Sequence, residues 1–149
     1  ELEGRLSAYR EMAAAAQTDS LAATIAADTL GVGLEGMSQY RYMTARTVAN
    51  SPLVKTAVYG HDANWGRVAA ALGRSGARFN QEDVDIDILG LPVCRAGLVV
   101  DFDEEEALRR FEEPEVAIEV DLHAGEESAT MWTCDFSHEY VTINGDYRS

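Results

Sequence analysis

The sequence predicts an α/β domain: a layered, mixed sheet with antiparallel hairpins, packed against helices. Three observations carry that expectation. The 149 residues are 46% hydrophobic and 26% charged, enough apolar surface for one core and too much for a disordered chain. Residues 84–88 and 116–122 alternate apolar with mostly acidic side chains, the period-2 pattern of strands with one buried face. Stretches with helical spacing lie before and between such runs, in the Ala-rich residues 6–28 and in residues 65–72 and 103–112. Residues 1–149 are read as a single domain, with no linker, internal repeat or low-complexity tract.

Taken in order, residues 6–28 place Leu6, Tyr9, Met12, Ala13 and Ala16 on one helical stripe and Leu21, Thr24 and Ile25 on a second, which reads as one long helix or two meeting near Asp19-Ser20. Gly31, Gly33 and Gly36 are expected to break it. The aromatic-rich residues 39–43 suit a strand, and residues 44–49 suit a helical turn that must stop before Ser51-Pro52, because the residue before proline is pushed out of the helical region. Residues 53–59 read as a buried strand ended by Gly60. His61-Asp62-Ala63-Asn64 offers capping side chains for a helix over 65–72 that ends at Gly73 and Gly76. Residues 84–88, a Gly90-Leu91-Pro92 turn and Val93-Cys94-Arg95 form a hairpin. Asp103 and the three glutamates after it load negative charge at the start of a helix that ends near Arg109 and Arg110, as the helix dipole favours. Beyond Pro114, residues 116–122, a Gly125-centred turn and residues 128–136 read as a second hairpin.

Charge narrows the function. Twelve basic residues stand against 26 acidic ones, a formal net charge of −14, so nucleic-acid backbones and anionic membrane surfaces would be repelled. Lys55 is the sole lysine, and its bland reading is a solvated surface side chain. Cys94 and Cys134 lack metal-ligand spacing and are expected to be reduced, buried thiols of a cytoplasmic protein. No apolar run reaches spanning length, and the N-terminus lacks the pattern of a signal peptide. The chain starts at Glu1 rather than Met, which raises the expectation of a processed or excised piece.

Generic chemical motifs are absent. His138-Glu139 has no second histidine at zinc-protease spacing, and there is no nucleophile elbow, phosphate loop or complete dinucleotide fingerprint. His61-Asp62 reads as capping or solvent-facing, and Asp85, Asp87 and the acidic run 101–106 read as solvated faces.

Three strings go further together. Ala49-Asn50-Ser51-Pro52-Leu53-Val54-Lys55-Thr56-Ala57, then Gly60-His61-Asp62-Ala63-Asn64-Trp65-Gly66-Arg67, then Val141-Thr142-Ile143-Asn144-Gly145-Asp146-Tyr147-Arg148-Ser149 closely resemble the ornithine acetyltransferase family, the bifunctional glutamate N-acetyltransferases of arginine biosynthesis. Trp132-Thr133-Cys134-Asp135-Phe136 is similar to that family's last strand. The resemblance covers residues 47–149 closely and 1–46 loosely. It implies a larger self-processing acetyltransferase fold, in which a precursor cleaves itself before a threonine whose freed amine activates its own hydroxyl. That threonine carries an acetyl group from N-acetylornithine to glutamate, releasing ornithine. No cofactor is implied. The implied partner is the alpha chain of the same precursor, in a heterotetramer of two alpha and two beta chains.

The family's Lys-Gly-x-Gly-Met cleavage motif and its Ala-Thr are absent, so the resemblance assigns no catalytic residue to this chain and makes it the C-terminal part of the beta chain. It does assign substrate binding to Asn144 and Ser149, and to Glu35 if Gly33-Leu34-Glu35-Gly36 matches the family's Asp-Gly-Glu-Gly string. An amide, a hydroxyl and a carboxylate suit an amino-acid substrate. The rival readings are a tight turn at Asn144-Gly145 and a surface loop at Glu35. Asn64-Trp65-Gly66-Arg67 reads as a structural helix start. The alternative function is a non-catalytic acidic module that has kept an amino-acid pocket.

Overall fold

The sheet is built around a strand that local propensity disguises. The computed structural model describes residues 22–29 and 34–147, with side chains from Tyr42 on except Glu127. Its six strands are β1 (Ala22–Thr29), β2 (Asp85–Ile88), β3 (Leu91–Arg95), β4 (Leu98–Val99), β5 (Glu115–Asp121) and β6 (Glu127–Cys134), in the order β4-β3-β2-β5-β1-β6. β1 pairs parallel with β5 and antiparallel with β6, and the other neighbours are antiparallel. The sheet is therefore mixed, as the sequence predicts.

Two expectations change here. Residues 22–28 form β1 rather than the end of a helix; both edges of that segment are paired, and ladder bonds on two sides outweigh the helical preference of alanine. Residues 6–21 lie outside the described residues. The second expected hairpin does not form either, because β1 lies between β5 and β6. The hairpin of β2 and β3 does form, but its turn is Leu89-Gly90, one residue earlier than expected. Both residues have positive φ, 55° and 71°, the pairing that a two-residue turn between twisted strands requires.

Among the described residues there are five α-helices: α1 (Leu34–Ala49), α2 (Pro52–Tyr59), α3 (Trp65–Gly73), α4 (Glu104–Arg110) and α5 (His138–Asp146). The expected strand at 39–43 lies inside α1, as does the expected breaker Gly36. Burial of Thr44, Ala45, Val48 and Ala49 follows the helical period, while Tyr42 and Met43 are exposed. The expected strand at 53–59 is α2. Its buried residues are Val54, Lys55, Ala57 and Val58, and Ser51 caps it by accepting the Val54 N–H at 3.5 Å, with Pro52 in the first turn. α3 and α4 fall where the sequence places them. Asn64 accepts the Arg67 N–H at 3.1 Å and Asp103 the Glu106 N–H at 3.0 Å.

α1 lies against β1 and β6 and touches α2 and α3. Val48, Val58, Val68 and Leu72 from this helical layer meet Ile86, Val93, Val116 and Ile118 of the sheet in one core, with Phe111 beside them. Asp85 and Asp87 are half-buried and partnered rather than solvated. Asp85 accepts the Ala96 N–H at 2.8 Å and meets His123 Nε2 at 2.9 Å, and Asp87 pairs with Arg95 at 2.5 Å. The cysteines are free, but only Cys94 is buried; Cys134 is exposed.

Candidate functional site

The corner where α2 meets the end of β6 holds the buried polar cluster that the sequence reading missed. Lys55 is 8% exposed, not a solvated surface lysine. α2 turns it inward beside Val54 and Val58, and its Nζ donates to Thr133 Oγ1 at 2.7 Å and lies 3.9 Å from Cys134 Sγ. The ammonium also sits 4.7 Å from the centre of the Phe136 ring, close enough for a cation–π contact. At the same corner the Phe136 N–H donates to the Lys55 carbonyl at 3.3 Å. The signal for this role was present: a lone lysine whose apolar neighbours recur at helical spacing.

Asp135, between Cys134 and Phe136, is buried as well. Burial pushes its carboxyl above the usual range, while its own backbone N–H and the charges of Lys55 and His61 pull it back. His61 has a positive φ of 53° and stacks on Phe111, ring centres 5.5 Å apart. It therefore packs, rather than facing solvent. Arg67 ties α3 to α2 from the outside, donating to the Leu53 carbonyl at 3.0 Å and to Thr56 Oγ1 at 3.2 Å, which fits a structural helix start.

Asn144 lies in α5, not in a tight turn. Its Nδ2 donates to the Tyr140 carbonyl one turn back at 2.8 Å, which leaves Oδ1 as an exposed acceptor with no hydrogen bond among the described residues. α5 starts from Ser137, whose hydroxyl accepts the Tyr140 N–H at 3.0 Å. Glu35 lies in the first turn of α1, on a helix rather than a surface loop, and Ser149 lies outside the described residues. The structure does not bring Glu35 and Asn144 together. α1 begins after Thr29, which pairs with Glu127, whereas α5 begins after Cys134, which pairs with Ala22 at the other end of the same ladder.

The cluster can bind and orient but has no nucleophile–base pair. The Thr133 hydroxyl accepts from an ammonium, which cannot take its proton. Among the described residues no group of His, Cys, Asp and Glu could hold a metal ion, and no helix is long and apolar enough to cross a membrane.

Residues 7–149 match the ArgJ family. The chain is 52% identical over 107 residues to the arginine biosynthesis bifunctional protein ArgJ of Chlorobium chlorochromatii, covering 72% of this chain and 25% of that protein. It is 55% identical over 105 residues to the protein of the same name from Symbiobacterium thermophilum, covering 70% and 26%. The crystal structure of the Bacillus halodurans protein of that name superposes with a TM-score of 0.77 at 37% identity, covering 85% of this chain and 58% of that one. This chain thus spans about a quarter of the length of those two curated relatives.

Proposed function

The chain belongs to the ArgJ family, and on that premise we propose that it is the substrate-binding, C-terminal part of a glutamate N-acetyltransferase. The observation that carries this reading is the family match over residues 7–149, which includes the terminal string bearing Asn144. In the proposed reaction, a threonine outside residues 1–149 takes the acetyl group of N-acetylornithine, releases ornithine and passes the acetyl group to glutamate. Its own free α-amine serves as the base.

This chain's part is recognition. Asn144 spends one of its two amide N–H groups inside α5, which leaves Oδ1 and the second N–H for a ligand, and the carbonyl acceptor suits a substrate ammonium. Ser149 adds a hydroxyl and Glu35 a carboxylate of the sign an ammonium needs. Since Glu35 and Asn144 leave the sheet at opposite ends, they serve different parts of the substrate pair or meet across a second chain. The proposed partner is the alpha chain of the same precursor, two alpha with two beta chains, in the cytoplasm.

Acetyl transfer from N-acetylornithine to glutamate by the full-length protein containing this sequence is the direct test. Turnover is expected, and Asn144→Ala should weaken both half-reactions while self-cleavage proceeds, because the residue binds substrate and does not touch the scissile bond. Unchanged turnover in that variant removes Asn144 from the site. The alternative reading is a non-catalytic acidic module that has kept an amino-acid pocket. Heat released when ornithine or glutamate is titrated into this chain alone would support that reading against ours.

A further inference from the structure

α5 buries none of its residues, so its position is set at its root. Two ring contacts are found there. Tyr59 of α2 meets His138 edge-on at 5.2 Å, and Phe136 stacks on Tyr140 at 4.7 Å with planes 10° apart. Phe136, Tyr140 and Asn144 follow one another at four-residue spacing, so the last two share one face of the helix. The Asn144 amide is bonded to the Tyr140 carbonyl at 2.8 Å. Whatever fixes Phe136 therefore fixes the direction in which α5 leaves the sheet and where Asn144 stands.

Lys55 grips that root in three ways. Its carbonyl accepts the Phe136 N–H at 3.3 Å, its Nζ lies 4.7 Å from the Phe136 ring centre, and the same Nζ holds Thr133 Oγ1 at 2.7 Å. Thr133 lies one pair from the end of the β6 ladder, opposite Ala23 of β1. One ammonium thus joins the sheet to the segment that launches the helix. Being 8% exposed, it has little water to replace those partners, which is the condition under which a polar contact orders its surroundings.

We infer that Lys55 is a positioning residue for acetyl transfer, acting through Phe136 and Tyr140 to set the place of Asn144. The inference rests on the proposed function. It adds a residue on a helix far from the terminus in sequence, with Thr133 as its partner.

The test uses the full-length protein and four variants: Lys55→Met, Thr133→Val, Thr133→Ser and Asn144→Ala. Hydrogen exchange over residues 137–147 reads the clamp, and steady-state kinetics read its consequence. Lys55→Met and Thr133→Val should speed exchange across α5 and raise KM for glutamate about tenfold with kcat changed much less, the signature of lost uniform binding. Thr133→Ser keeps the acceptor and should keep the native KM. Because Lys55 acts through Asn144, the Lys55→Met/Asn144→Ala double variant should be little worse than Asn144→Ala alone. If Lys55→Met does not fold, the two Thr133 variants carry the test. A merely structural role would lower the yield of active enzyme at unchanged KM and multiply with Asn144→Ala, and that result overturns the inference, as does native exchange in Thr133→Val. A native protein with no acetyl transfer overturns both the inference and the proposed function. Native transfer with an unaffected Thr133→Val overturns the inference alone.

Discussion

α2 and α5 are helices of eight and nine residues, each opened by a serine cap, yet they stand in opposite relations to the core. α2 buries Val54, Lys55, Ala57 and Val58; α5 buries nothing and leaves Tyr140, Val141 and Ile143 exposed. A cap satisfies the first free N–H groups and so decides where a helix begins. Packing of an apolar face decides where it sits. α2 has both devices. α5 has the cap and a root contact, and its place follows from residues outside it.

The largest effect expected from that contrast is between core and terminal helix. Phe111, 1% exposed, should lose about 3–5 kcal/mol as Phe111→Ala, whereas Ile143→Ala in this chain should stay within about 0.5 kcal/mol. Urea denaturation of both variants checks this, and a comparable loss at Ile143 would break the contrast. Gly97→Ala comes next. Gly97 has φ 71° and a Cβ there would collide with the Gln81 carbonyl, so about 1–3 kcal/mol of strain is expected from the backbone alone, again by denaturation.

The two caps sharpen the comparison further. Ser51→Ala should cost about 1 kcal/mol of global stability. Ser137→Ala should leave the denaturation midpoint unmoved and speed hydrogen exchange only in residues 138–146, since an unburied helix opens without the core. Smallest is a pH effect on the packed side. The hydrogen bond that His123 donates to Asp85, ahead of the opposing desolvation and the charge of Asp121, raises the imidazole above its usual range. Burial alone would push Asp85 up, but bonds from His123 and the Ala96 N–H hold it below. The raised group stabilises at low pH and loses its contribution as pH rises through its folded value; the lowered group does so as pH falls through its own. The pair is therefore strongest between the two values. NMR titration should find His123 above the usual imidazole range and nearer to it in Asp85→Asn.

Legibility in the sequence followed the same division between local and distant causes. β2, β3, α3 and α4 are readable because their signals lie inside or beside them: acid-apolar alternation, a turn glycine, capping side chains before residue 65 and the acidic start at Asp103. β1 was not, since the partners that make Ala22–Thr29 a strand are residues 115–120 and 127–134. α2 was misread because a short apolar run fits strand or helix alike, although Ser51-Pro52 carried the helical start. Asn144 is singled out only by the family string, and the Asn144-Gly145 pair suggests a tight turn where the structure has a helix. Lys55 stands out as the single lysine but reads as solvated, because the hydroxyl that draws it inward is 78 positions away.

The most direct test of the central claim is to trap the acyl-enzyme. The full-length protein is incubated with N-acetylornithine and no acceptor, quenched in acid, digested, and the acetylated peptide sequenced. The account predicts one acetyl group on an N-terminal threonine of a chain that continues into this sequence, with none on residues 1–149. No acetylated peptide, or an acetyl group on a side chain within residues 1–149, would contradict it.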